Sequence, residues 1–160
     1  MEEGDFTKAR SMVFPRNVLV GHGVIRSVPQ VCKDFALSGT ALMVAGQKTI
    51  KAAGETIKDG LVREGYDVHE ILVGEATDEN LKKVIQAAKD VKPDFLLGVG
   101  GGSKIDLAKM AAKEMNLEFI SIPTSASHDG IASGRASIKN NKGPISMDAK
   151  VPLGVIADTE

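Results

Sequence analysis

Apolar and polar positions fall into blocks along the chain, and the blocks predict strands and helices in regular alternation. After a polar start, Asn17-Val18-Leu19-Val20 reads as a short strand that runs into Gly21-His22-Gly23. Between Val24 and Phe35 the apolar residues Val24, Val28, Val31 and Phe35 share one helical face, and Pro29 fits only near the start of that helix. Thr40 to Gly46 is a compact apolar run closed by glycine. Its lack of strict alternation predicts a strand covered on both faces. A helical period follows at Ile50, Ala53, Ile57 and Leu61, stopped by Gly65, and Asp67 to Val73 is strand-like. Thr77-Asp78-Glu79 starts a helix, with a capping hydroxyl and acids in the first turn. Leu81, Val84, Ile85, Ala88 and Val91 carry it to the Pro93 breaker. Asp94 to Val99 is another buried strand, followed by Gly100-Gly101-Gly102-Ser103. The next helix carries Ile105, Ala108, Ala112 and Met115, and Phe119 to Ile122 is a strand ending at Pro123.

This alternation predicts the α/β class: an open, mostly parallel sheet with helices on both faces, a Rossmann-like nucleotide-binding domain. After Pro123 the rhythm breaks. Residues 124–134 are small and polar, 135–150 suggest a hairpin around Asn140-Asn141-Lys142-Gly143, and Val151 to Asp158 supplies a last apolar strand. The organisation expected is one domain over 1–160, with a tail at 1–13 and a hairpin-like insertion at 135–150. A strand followed directly by Thr159-Glu160 reads as an unfinished domain, and a fragment is expected.

Composition narrows the classes. With 42% hydrophobic residues in 160, the chain has enough apolar material for one core and is not intrinsically disordered. Lys+Arg 20 against Asp+Glu 21 gives a net charge of −1, without the basic excess of a nucleic-acid or membrane-surface binder. The one cysteine, Cys32, has no internal partner for a disulfide, the N-terminus lacks signal-peptide order, and no run is long enough to span a membrane. A cytoplasmic protein is expected.

The glycine run carries the sharpest chemical signal. It sits at the carboxyl end of a strand and opens a helix, where α/β sheets bind ligands. Glycines let a pyrophosphate approach the backbone, and first-turn N–H groups with the helix dipole favour its charge. Ser103 with Asp106 resembles a capping box, and Lys104 adds positive charge at the rim. Gly98-Val99-Gly100-Gly101-Gly102-Ser103 departs from the dinucleotide fingerprint, with serine at the third glycine, and follows a late strand. The alternative is a tight turn without ligand. On the same rim, Pro123 to Ser133 is rich in small hydroxyl residues suited to packing under a flat ring. Asp129 is there either an acceptor for ligand hydroxyls or a cap. Gly46-Gln47-Lys48-Thr49 offers no acid for a ribose 2′-hydroxyl and one lysine compatible with a 2′-phosphate. His22, His69, His128 and Cys32 are scattered without metal-ligand spacing, so no metal site is expected within this chain.

The segments Gly-Val-Gly-Gly-Gly-Ser-Lys-Ile-Asp-Leu-Ala-Lys at 98–109 and Phe-Ile-Ser-Ile-Pro-Thr-Ser-Ala-Ser-His-Asp-Gly-Ile-Ala-Ser at 119–133 resemble the sn-glycerol-1-phosphate dehydrogenases. These form a branch of the superfamily of iron-containing alcohol dehydrogenase, glycerol dehydrogenase and dehydroquinate synthase. The resemblance extends from about residue 14 to the end. It implies an N-terminal NAD(P)-binding domain, a helical C-terminal domain absent here, and reduction of dihydroxyacetone phosphate by NADH or NADPH for archaeal ether-lipid synthesis. It also implies zinc in the whole enzyme, on ligands that lie beyond Glu160. By the same matching, Gly100, Gly101, Gly102, Ser103, Lys104, Ile105 and Asp106 belong to the pyrophosphate loop. Thr124, Ser125, Ala126, Ser127 and Ser133 fall on the nicotinamide side, and Asp129 contacts substrate. The chain alone is expected to be inactive, and as a truncated enzyme to expose an apolar patch and self-associate as a homo-oligomer. The alternatives are a glycerol dehydrogenase-like or dehydroquinate synthase-like enzyme, or a free-standing nucleotide-binding module.

Overall fold

A computed structural model describes residues 12–125 and 131–160. Six strands form one sheet: β1 (Asn17–Gly21), β2 (Thr40–Ala45), β3 (Asp67–Leu72), β4 (Phe95–Gly100), β5 (Glu118–Pro123) and β8 (Gly154–Asp158). Every pairing in it is parallel, and the spatial order is β1-β8-β5-β4-β2-β3. β2, β4 and β5 are buried along almost their whole length, which explains their continuous apolar runs.

Helices cover both faces. On one side α1 (Val28–Asp34) and α3 (Glu55–Arg63) pack over Met43, Phe95, Leu97 and Ile120. On the other, α4 (Asp78–Val91) and α5 (Gly102–Met115) pack over Leu42, Val44, Leu96 and Phe119. The predicted face Ile50, Ala53, Ile57 and Leu61 is buried as a set. Its helix is not uniform, however: α2 (Gln47–Thr49) passes through a π-type segment at Ile50–Gly54 before α3. The stretch from Val24 divides in the same way, into a 3-10 turn (Val24–Ser27) and α1, with Pro29 in the first turn of α1. Thr77 caps α4, its Oγ1 accepting from Asn80 N at 3.1 Å. Cys32 lies in the core, where burial pushes its thiol up to about 12 and leaves it unreactive.

Sheet order determines the site. The chain runs from β2 outward to β3, then returns across β2 to place β4 on its other side. The helix after β2 covers one face and the helix after β4 covers the opposite face. The carboxyl ends of β2 and β4 therefore border a topological switch point, the position at which open α/β sheets form a ligand crevice.

β6 (Arg135–Asn140) and β7 (Gly143–Asp148) pair as a separate antiparallel hairpin lying on α5. Ala136 and Ile138 point inward, while Ile145 and Met147 of β7 are exposed. Val18 and Val20 on the edge strand β1 are 56% and 63% exposed, and no helix among the described residues covers that corner.

Candidate functional site

The rim at the carboxyl ends of β2 and β4 is built from two strand-to-helix turns. After β2, Gly46 N donates to Thr49 Oγ1 at 2.8 Å, and the Thr49 hydroxyl reaches Val99 O on β4 at 3.1 Å. One short side chain thus ties the two turns together. The Lys104 stem crosses from α5 over this junction. A Cβ at Gly46 would stand 2.7 Å from Lys104 Cε, and one at Gly100 would stand 3.1 Å from Lys104 Cγ.

The three glycines after β4 have different reasons to be glycine. Gly100 has φ +146°, which side chains rarely adopt, and a Cβ there would also crowd Thr49 Cγ2 at 3.3 Å. Gly101 has an ordinary extended backbone, φ −78°, and a Cβ there would meet nothing within 4 Å among the described residues. Gly102 is the first residue of α5. The close helix–strand approach that the third fingerprint glycine usually permits is supplied by Gly98, where a Cβ would lie 2.9 Å from Ala108 Cβ.

The capping box expected from Ser103 and Asp106 does not form. The N-cap of α5 is Gly101, and no side chain among the described residues caps the helix. Ser103 lies inside the first turn, and Asp106 turns sideways, its Oδ2 accepting from Ser137 N at 3.2 Å. The first-turn N–H groups, carrying the positive end of the helix dipole, therefore face the crevice. Of the other residues matched to the pyrophosphate loop, Ile105 is fully buried, so its side chain belongs to the core, and Lys104 spans the rim.

Beside this head lies a cavity of about 520 Å³ lined by Gly46, Gln47, Lys48, Thr49, Gly74 and Lys104, among others. Among the described residues two lysines and no acid border it. Thr124 stands on the same rim, its N–H donating to Gly100 O at 3.0 Å, and Ser125 follows it, exposed. Ser133 lies where the chain comes back, its Oγ 3.3 Å from Lys109 Nζ. Ala126, Ser127 and Asp129 fall outside the described residues.

Two contributors went unnoticed in the sequence. Thr49 ties the two turns together through Val99 O, a partner on another strand that nothing local announces. Lys109 is fully buried on α5, donating to Arg135 O at 3.0 Å as well as to Ser133. Burial lowers its ammonium pKa below the usual lysine range, and the neighbouring Asp106 charge opposes that shift. Its i, i+3 spacing from Asp106 was the legible clue. Among the described residues no group of three or more His, Cys, Asp or Glu is placed to hold a metal ion.

Comparison with known proteins agrees with this geometry. Residues 19–160 match the model of the iron-containing alcohol dehydrogenase family. The chain is 47% identical over 152 residues to a glycerol-1-phosphate dehydrogenase, NAD(P)+, of Methanosarcina barkeri, covering 95% of this chain and 43% of that protein. It is also 47% identical over 155 residues to the protein of the same name from Thermoplasma volcanium, covering 97% and 44%. The chain thus spans less than half the length of these relatives. Among solved structures, glycerol dehydrogenase from Schizosaccharomyces pombe superposes with a TM-score of 0.85 at 27% identity, covering 96% of this chain and 39% of that one. An iron-containing alcohol dehydrogenase from Thermotoga maritima, at 20% identity and a TM-score of 0.82, shares the fold over 94% of this chain and 48% of its own. By its sequence match and its sheet, this chain belongs to the iron-containing alcohol dehydrogenase family.

Proposed function

We propose that the chain is the cofactor-binding part of an NAD(P)-dependent glycerol-1-phosphate dehydrogenase, which reduces dihydroxyacetone phosphate to sn-glycerol 1-phosphate for ether-lipid synthesis in an archaeal cytoplasm. One observation carries the reading: among the described residues the head of α5 is uncapped at the β2/β4 switch point, behind a glycine whose Cβ would meet none of them. Backbone N–H groups with the helix dipole suit a pyrophosphate there, and Lys104 adds a mobile positive charge at its edge. The lysine-lined cavity beside it suits the adenosine end and tolerates a 2′-phosphate, in keeping with the NAD(P)+ in the relatives' names. Thr124, Ser125 and Ser133 flank the nicotinamide side, with Ala126 and Ser127 proposed beside them and Asp129 as the acceptor for substrate hydroxyls. The bound nicotinamide supplies the hydride. In keeping with the family resemblance, the ligands of the zinc expected in the whole enzyme are assigned to the remaining length of the relatives, where the metal would polarise the substrate's ketone oxygen, and the whole enzyme is read as a homo-oligomer.

Titration of the chain with NADPH and NADH, followed by nucleotide fluorescence, tests the reading against a background without tryptophan. Saturable binding is expected. Gly101→Val, whose backbone angles a β-branched residue accepts, should weaken it by about tenfold or more while leaving thermal unfolding unchanged. Equal affinity in wild type and Gly101→Val would place the ligand elsewhere.

A further inference from the structure

α5 carries a second polar device, one turn below its open head. Asp106 and Lys109 share one face, and both are buried in a region otherwise filled by Leu107, Ala108, Ala111 and Ala112. Asp106 Oδ2 accepts from Ser137 N, and Lys109 Nζ donates to Ser133 Oγ and Arg135 O. One turn further, Lys113 Nζ donates to Asp148 O on β7, which pairs with Arg135 across the open end of the hairpin. The segment Ser133–Ser137 is therefore held to the second turn of the helix whose first turn faces the crevice. On the entry side, Thr124 N–H is held to Gly100 O, at the start of the same turn. Taking an ammonium out of water costs several kcal/mol, and a methionine would fill the same volume without that cost. Packing alone does not call for lysine here.

Resting on the cofactor reading above, we propose that Lys109, with Asp106, is a positioning residue. It fixes Ser133 relative to the head of α5, so that the pyrophosphate-binding and nicotinamide-side parts of the site keep one spacing. The charged pair does this better than an apolar contact would, because hydrogen bonds to a backbone carbonyl and a hydroxyl specify direction as well as distance.

ADP reports the adenosine and pyrophosphate part alone, and NADPH reports both parts. In Lys109→Met the affinity for NADPH should fall about tenfold while that for ADP stays within about twofold. Lys113→Met, which removes a hold on β7 but leaves both Lys109 bonds to Ser133 and Arg135 in place, should move neither. Equal weakening of both nucleotides in folded Lys109→Met, or no change in either, would overturn the proposal. Amide hydrogen exchange over residues 131–138 reads the clamp without nucleotide. It should be about tenfold faster in Lys109→Met, and in Asp106→Asn if the first variant does not fold, with β4 and β5 unchanged. Unchanged exchange overturns the clamp whether or not nucleotide binds. A wild-type chain that binds neither NADPH nor ADP defeats the functional reading instead, and the exchange result then decides the clamp by itself.

Discussion

The turns after β2 and after β4 lie side by side and connect a buried parallel strand to a helix, yet they are finished in opposite ways. After β2, Thr49 caps Gly46 N and reaches across to Val99 O, and the Lys104 stem fills the space in front of Gly46. After β4, among the described residues, no side chain caps α5 and nothing stands within 4 Å of a Cβ at Gly101. Helix N-termini normally satisfy their N–H groups with a capping side chain. The first turn follows that rule, using its own residues and its neighbour's lysine. The second leaves the same groups without a capping side chain among the described residues. A glycine run does not distinguish these cases: Gly100 needs glycine for its backbone angle, whereas the backbone at Gly101 accepts any residue. A third turn, after β1, is closed by a side chain from another strand: Asp158 of β8 accepts from Gly23 N and Ile25 N, both at 3.0 Å.

The comparison breaks most readily at Gly100. Gly100→Ala imposes a left-handed strain and pushes a Cβ against Lys104 and Thr49, so chemical denaturation should show a loss of about 2 kcal/mol. If stability is unchanged, the two turns do not differ as described. Thr49→Val removes a cap and the tie between turns while keeping the shape. About 1 kcal/mol should be lost in the same assay, with weakened nucleotide binding as a secondary result of a loosened rim. Lys104→Met keeps the stem that packs over Gly46 and removes only the charge. Stability should hold while NADPH affinity falls about fivefold, an effect that shrinks as salt is raised.

The smallest effect concerns the third turn. The backbone N–H of Ile25, with those of Glu160 and Gly23, holds the Asp158 carboxyl below the usual carboxylate range, against a smaller opposing effect of desolvation. A carboxyl with a lower pKa in the folded state stabilises above its unfolded pKa, and that contribution fades as pH falls toward the folded value. Thermal unfolding measured from neutral pH downward should therefore steepen below about pH 4 in wild type, and less so in Asp158→Asn. Parallel acid profiles would mean that the carboxylate caps nothing of consequence.

Much of the α/β framework was legible because the information in it is local. The face Ile50, Ala53, Ile57 and Leu61 follows from helical period, and the burial of β2, β4 and β5 follows from apolar runs without alternation. Thr77 announced the start of α4 through capping chemistry. The capping box at Ser103 was misread for the same local reason: the motif is present, but Asp106 finds a backbone N–H on the hairpin instead of the head of its own helix.

The order of elements and their buried faces were thus settled by the sequence itself, through periodicity, caps and breakers that act over a few residues. Strand order was not. Nothing near Gly46 or Gly100 says that β4 lies against β2 or that β8 slips between β1 and β5, because neighbours in a sheet are chosen by how distant apolar faces pack. That packing alone brought residues 46–49 and 100–104 to one crevice. It also buried Lys109, a residue type whose own solvation favours the surface, because acceptors from Ser133 and Arg135 arrive only once the hairpin folds back onto α5.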